Sequence, residues 1–130
     1  MALPAVRFRV DLGRHEAIGP GKIALLEQIE RGGSLSQAAR ELGMSYRRAW
    51  QLLDSLNGCF RERVALTARG GRRGGGATLT AFGRRLIRSY REFDAEVQAR
   101  ALRHFRPIMR ATRGGAAAQG GAPVVRMPDR

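Results

Sequence analysis

The stretch that most constrains this chain is Ser34 to Leu56, SLSQAARELGMSYRRAWQLLDSL. Leu35, Ala38, Ala39 and Leu42 recur at i, i+3, i+4 and i+7, the apolar stripe of a short amphipathic helix. Ser34 stands where an N-cap would, and Gln37 follows at the capping-box spacing. Gly43 offers the positive φ that ends a helix, and Ser45 offers the cap of the next one. Small residues at 38 and 39 let a second helix cross closely. Two short helices joined by a tight turn leave few folds open.

That arrangement is a helix-turn-helix, whose second helix ordinarily enters the DNA major groove. At about 100° per residue, Ala49, Leu53, Leu56 and Phe60 share one face of the second helix, flanked by Trp50 and Leu52. Arg47, Arg48 and Gln51 fall on the opposite face, with Tyr46 at its N-terminal edge. Arginine can bond guanine O6 and N7 bidentately, glutamine can do the same to adenine, and tyrosine reaches phosphate or base edges. A solvated face would explain Arg47 alone, but the whole set in this setting points to DNA contact. Ser34, Ser36, Gln37 and Ser45 would offer hydroxyls and helix-start amides to the backbone phosphates.

Charge agrees. Of a formal net charge of +13, ten arginines and two acids between Ser45 and Arg88 contribute 10 − 2 = +8. The partner expected is therefore a polyanion, double-stranded DNA. Val64–Ala68 and Ala77–Leu79 read as two short strands around RGGRRGGG, a hairpin tipped with glycine and arginine. Such a wing would bring Arg69, Arg72 and Arg73 to the minor groove or phosphates. A nucleotide-phosphate loop is rejected, because no Gly-Lys-Ser/Thr follows and no helix starts directly after the glycines.

Upstream, Val6, Phe8, Val10 and Leu12 alternate with Arg7, Arg9 and Asp11, the pattern of a half-buried strand. This strand is expected to join the wing hairpin in a three-stranded sheet. Residues 13–21 read as a loop, and a helix follows from Pro20 or Gly21 to Gly32-Gly33. Its core face is Leu25, Leu26 and Ile29, and Ile23 widens the stripe towards a second subunit. Thr80 caps a long helix, roughly Ala81 to Phe105, ended by Pro107 and about 37 Å long. Phe82 and Leu86 are read as packing on the core. Phe93, Val97, Leu102 and Phe105 exceed what so small a domain can cover, and are read as a dimer contact.

KIALLEQIERGGSLSQAARELGMSYRRAW, with GGRRGGGATLTAFG after it, closely resembles the N-terminal winged-helix domain of the ModE-type molybdate-responsive regulators. LysR-type regulators share the S-x-x-x-A-A-x-x-L run. Gly43-Met44-Ser45-Tyr46, Ala49-Trp50 and the polyglycine wing leading into Leu79-Thr80 and Gly83 favour the ModE type. The resemblance covers residues 5–106. It implies a mainly α fold with a small β-sheet, a winged helix-turn-helix with a long C-terminal dimerisation helix, bound as a homodimer to a palindromic operator. Residues 1–106 would form that domain, and 107–130 a disordered Gly/Ala/Arg tail. Family members carry C-terminal oxyanion-binding domains, for which nothing after 106 has the makings. A molybdate or other oxyanion effector is thus not supported by this chain alone, and it reads as a standalone member.

No enzyme chemistry is legible. His15 and His104 lack ligand-spaced neighbours, so no metal site or cofactor is expected. The lone Cys59 excludes an internal disulfide, and Glu92, Asp94 and Glu96 read as solvated helix charges. With no apolar run of membrane-spanning length and no signal-like start, a cytoplasmic protein is expected. The expected function is sequence-specific transcriptional regulation. Alternatives are a winged-helix module partnering a separate sensor protein and, behind it, a direct oxyanion binder using the glycine-arginine loop.

Overall fold

The computed structural model describes residues 3–14, 16–68 and 76–113. The chain divides into two compact units, residues 7–93 and residues 1–6 with 94–130. The first contains β1 (Val10–Asp11), β2 (Ala17–Ile18), α1 (Pro20–Gly32), α2 (Leu35–Glu41), α3 (Tyr46–Cys59), β3 (Ala65–Thr67) and β4 (Ala77–Leu79). Helix α4 runs from Ala81 to Met109, and its first half belongs to this unit.

Three helices enclose the core, with α2 packed on both α1 and α3. Leu25, Leu26 and Ile29 of α1, Leu35 of α2, and Leu53 and Leu56 of α3 are all buried. Full burial of each such side chain is worth about 1.5–3 kcal/mol against leaving it in water. Ala38, Ala39 and Ala49 are buried where the helices meet, as the small residues at 38 and 39 suggested. The turn after α2 is a Schellman motif built on Gly43 at φ 67°. Met44 N–H donates to Ala39 O (3.0 Å) and Gly43 N–H to Arg40 O (3.1 Å), so the last carbonyls of α2 are satisfied within the turn.

β3 and β4 pair antiparallel in the register Ala65↔Leu79, Leu66↔Thr78, Thr67↔Ala77. Ala65, Ala77 and Leu79 face inward, and Leu66 and Thr78 outward. The third member of this sheet differs from the sequence expectation. The α1–α2 connection supplies it, through an antiparallel bridge between Ser34 and Gly76 and a bond from Ala77 N–H to Gly33 O (2.9 Å). The N-terminal strand pairs instead with β2, in the register Val10↔Ile18 and Asp11↔Ala17. Part of the segment expected to be a loop is therefore a strand. Alternation in sequence says that one face is buried but not which strand lies alongside, and closing a short local loop costs less entropy than reaching the wing.

Asn57, near the end of α3, fixes the entry to β3. Its Oδ1 accepts from Val64 N–H (2.8 Å) and Ala65 N–H (3.4 Å), and its Nδ2 donates to Ala65 O (3.3 Å). Thr80 then joins hairpin to helix. Its Oγ1 accepts from Gly83 N–H (3.0 Å), capping α4 as expected, and donates to Arg63 O (2.6 Å). On the first half of α4, Phe82, Leu86 and Ile87 pack against the core, while Tyr90 stacks on Phe8 and donates its hydroxyl to the Phe8 carbonyl (3.1 Å).

In the second unit, Gln98 clamps the main chain of Val6. Its Oε1 accepts from Val6 N–H (3.0 Å) and its Nε2 donates to Val6 O (2.8 Å). Contrary to expectation, α4 does not stop before Pro107 but carries it two residues from its end. There the missing N–H removes only one bond of the final turn. No helix among the described residues is long and apolar enough to cross a membrane.

Candidate nucleic-acid interface

Helix α3 starts where its side chain cap dictates. Ser45 Oγ accepts from Arg48 N–H (3.0 Å), satisfying one of the first-turn amides. Ser34 Oγ caps α2 in the same way, accepting from Gln37 N–H (3.0 Å). With Ala49, Leu53 and Leu56 sealed into the core, α3 has one rotational setting. Tyr46, Arg47, Arg48 and Gln51 are all exposed in that setting. Neither Arg47 nor Arg48 has an ion-pair partner among the described residues, so both guanidinium groups face solvent uncompensated. Ser45 and Gln37 are also exposed, while Ser34 and Ser36 are half-buried.

The outer face also carries two features that sequence reasoning did not assign to it. Trp50, read as flanking the core, is 49% exposed. Asp54 is exposed one turn beyond Gln51 and two beyond Arg47, a carboxylate that can accept from cytosine N4 but repels phosphate.

Further arginines flank the hairpin. Arg61 and Arg63 are exposed in the connection before β3, and Arg84, Arg85 and Arg88 on the first turns of α4. Two of the latter are partly engaged: Arg84 Nη1 donates to Leu79 O (3.1 Å), and Arg85 lies 5.8 Å over the Phe82 ring. The expected wing-tip residues Arg69, Arg72 and Arg73 lie outside the described residues. The base of the hairpin is described, and it is tied to the start of α2 through Gly33 and Ser34.

The residues expected at a dimer contact separate. Ile23 has no exposed surface (0%) and belongs to the core, which leaves it nothing to offer a second subunit. The apolar stripe of α1 is wide because β2, missed in the sequence, brings Ile18 into the same core cluster. Phe93, in the first unit, is 46% exposed and meets Phe8 edge-on. In the second unit Phe105 is exposed, and Val97 and Leu102 are half-buried. No group of three or more His, Cys, Asp or Glu among the described residues could hold a metal ion.

Residues 21–84, which span α1 through the start of α4, match the bacterial regulatory helix-turn-helix proteins of the lysR family. The chain is 39% identical over 93 residues to the molybdenum transport protein ModE of Azotobacter vinelandii, covering 72% of this chain and 34% of that protein. It is 40% identical over 83 residues to the DNA-binding transcriptional dual regulator ModE of Escherichia coli, covering 64% and 31%. The molybdenum-pterin-binding protein MopB of Rhodobacter capsulatus is 44% identical over 80 residues, covering 62% and 30%. This is a ModE-type winged helix-turn-helix domain. The chain spans about a third of the length of these ModE-type relatives. Within the ModE-type domain, the lysR-family match takes in both helices of the motif, and the hairpin with it.

Proposed function

We propose that this ModE-type domain is the DNA-reading part of a transcriptional regulator that binds an inverted-repeat operator as a homodimer. The observation that carries the reading is the rotational setting of α3. Its apolar face is locked in the core, and Arg47, Arg48 and Gln51 all point to solvent from one capped helix. Arg47, Arg48, Gln51 and Tyr46 read base edges in the major groove, while Ser34, Ser36, Gln37 and Ser45 approach phosphates at the two helix starts. Arg69, Arg72 and Arg73 add contacts from the wing to the minor groove or phosphates.

Homodimerisation is supported by the apolar surface of α4. The helix leaves Phe93, Phe105 and Ile108 exposed, and an open apolar groove lined by Val10, Leu12, Leu86 and Phe93 lies along its first half. In this reading a second copy covers these side chains, and the two α3 helices must then stand one DNA turn apart, as an inverted repeat requires. Residues 1–106 are the functional domain in this reading.

The test is selection from a pool of random duplexes, followed by fluorescence-anisotropy titration of the recovered sequences at two salt concentrations. An enriched inverted repeat with half-sites about one helical turn apart establishes the regulator and supplies its operator. Salt-sensitive binding with no enriched sequence leaves only a polyanion-binding surface, and a winged-helix module that pairs with a sensor protein becomes the better reading.

A further inference from the structure

The exposed surface of α3 is chemically split. Arg47, Gln51 and Asp54 form its polar centre, and Tyr46 and Trp50, four residues apart, stand one turn above the other along one edge. Tyr46 is 50% exposed and Trp50 49%, although the same helix buries residues as small as Ala49. Trp50 therefore leaves a large indole face in water on the same side of the helix as Arg47. Neither ring has an aromatic or cation-π partner among the described residues.

What such an edge would meet is narrowly defined by the chemistry of DNA. The floor of the major groove presents hydrogen-bond donors and acceptors at every base pair, and one apolar group, the 5-methyl of thymine. Phosphates would satisfy arginine and serine but give an indole and a phenol ring no apolar surface to exclude water from, and the C–H edges of the sugars are the same at every base pair. An adenine bonded bidentately by Gln51 also has a paired thymine whose methyl opens into the same groove.

We infer that Trp50, with Tyr46 beside it, is a specificity-determining residue that packs on a thymine 5-methyl group in each half-site. This rests on the DNA-reading function proposed above. The indole distinguishes thymine from uracil by contact with the methyl, a discrimination that the arginines and Gln51 do not make. Its contribution is sequence-dependent, and so differs in kind from the phosphate contacts.

Deoxyuridine tests this directly, because it differs from thymidine only by the methyl. In the duplex recovered by selection, each thymine is replaced singly by deoxyuridine, and the full chain is titrated by anisotropy. One position in each half-site should weaken binding by about fourfold, the effect of uncovering one buried methyl-sized group. Trp50→Ala should bind the thymine and deoxyuridine duplexes equally, and Trp50→Phe should keep part of the difference. Because Trp50 is the only tryptophan in the chain, its emission should also be quenched or blue-shifted when the unmodified duplex saturates the wild-type protein. An enriched operator at which no thymine methyl matters, or at which the methyl effect survives Trp50→Ala, overturns this inference alone. Unchanged emission at saturation does the same. Selection that enriches no sequence overturns the regulator reading, and this inference falls with it.

Discussion

A Cβ on Gly83 would stand 2.0 Å from the carbonyl oxygen of Val64. Helix α4 thus begins in contact with the backbone that leads into β3, and Thr80 bonds to that same backbone from the residue before the helix. Gly83→Ala is therefore expected to push α4 off the hairpin and lower stability by about 3 kcal/mol, the upper range for overpacking. Gly58→Ala is the control. A Cβ there meets nothing within 4 Å, and the exchange should stabilise α3 by about 0.5 kcal/mol. Urea unfolding of both variants followed by circular dichroism checks the pair, and equal stability of the two would remove the close-packing account.

Asn57 makes the second prediction. Three bonds from one side chain hold the turn from α3 into β3. Asn57→Ala leaves two main-chain N–H groups without their acceptor, and should cost about 2 kcal/mol. Asn57→Asp keeps the acceptor and loses the donor, so it should retain more than half of that. The measurement is the shift in urea midpoint at constant slope.

Arginines at different places should fail differently. Arg48→Ala or Gln51→Ala should narrow the gap between operator and random duplex by about 1–3 kcal/mol while leaving non-specific affinity nearly intact. Arg72→Ala should weaken binding to all duplexes alike and lower the salt slope by about one unit. Parallel titrations at several salt concentrations separate the two, and a uniform loss for all three variants would defeat the division between base reading and phosphate contact.

Phe105 is half exposed on α4, so its replacement tests association with little expense to folding. Phe105→Glu should leave the helix content unchanged and shift sedimentation equilibrium from dimer towards monomer. Operator binding should then become steeply dependent on protein concentration, since two half-sites are no longer occupied by one preformed unit. A variant that stays dimeric would exclude this part of α4 from the contact.

Local patterns carried most of what the sequence disclosed. Ser34, Gly43 and Ser45 act on their own backbone neighbours, so caps and turn were legible with no knowledge of the fold. Partners distant in sequence were not. The alternation of Val6–Leu12 says nothing about whether β2 or the hairpin lies beside it, and β2 itself is only two residues long. The width of the α1 stripe at Ile23 points to a second subunit in sequence alone, whereas the residue is fully buried in one core cluster with Ile18 of β2. Trp50 shows the same limit at the candidate site. It stands at the border of the apolar arc of α3, where residue type suggests burial and only the packing of α1 and α2 decides.

The tie between Ser34 and Gly76 separates two kinds of change the interface can accept. The hairpin's base is bonded through Ala77 N–H to the carbonyl oxygen of Gly33, the residue before the cap of α2, so an alteration there is transmitted to the helix pair. The bonds that cap α2 and α3 run from Gln37 N–H to Ser34 Oγ and from Arg48 N–H to Ser45 Oγ, on the helical side of that junction. Under the proposed function, residues 69–75 should then be exchangeable as a cassette, retuning affinity for DNA without recalibrating which bases are read.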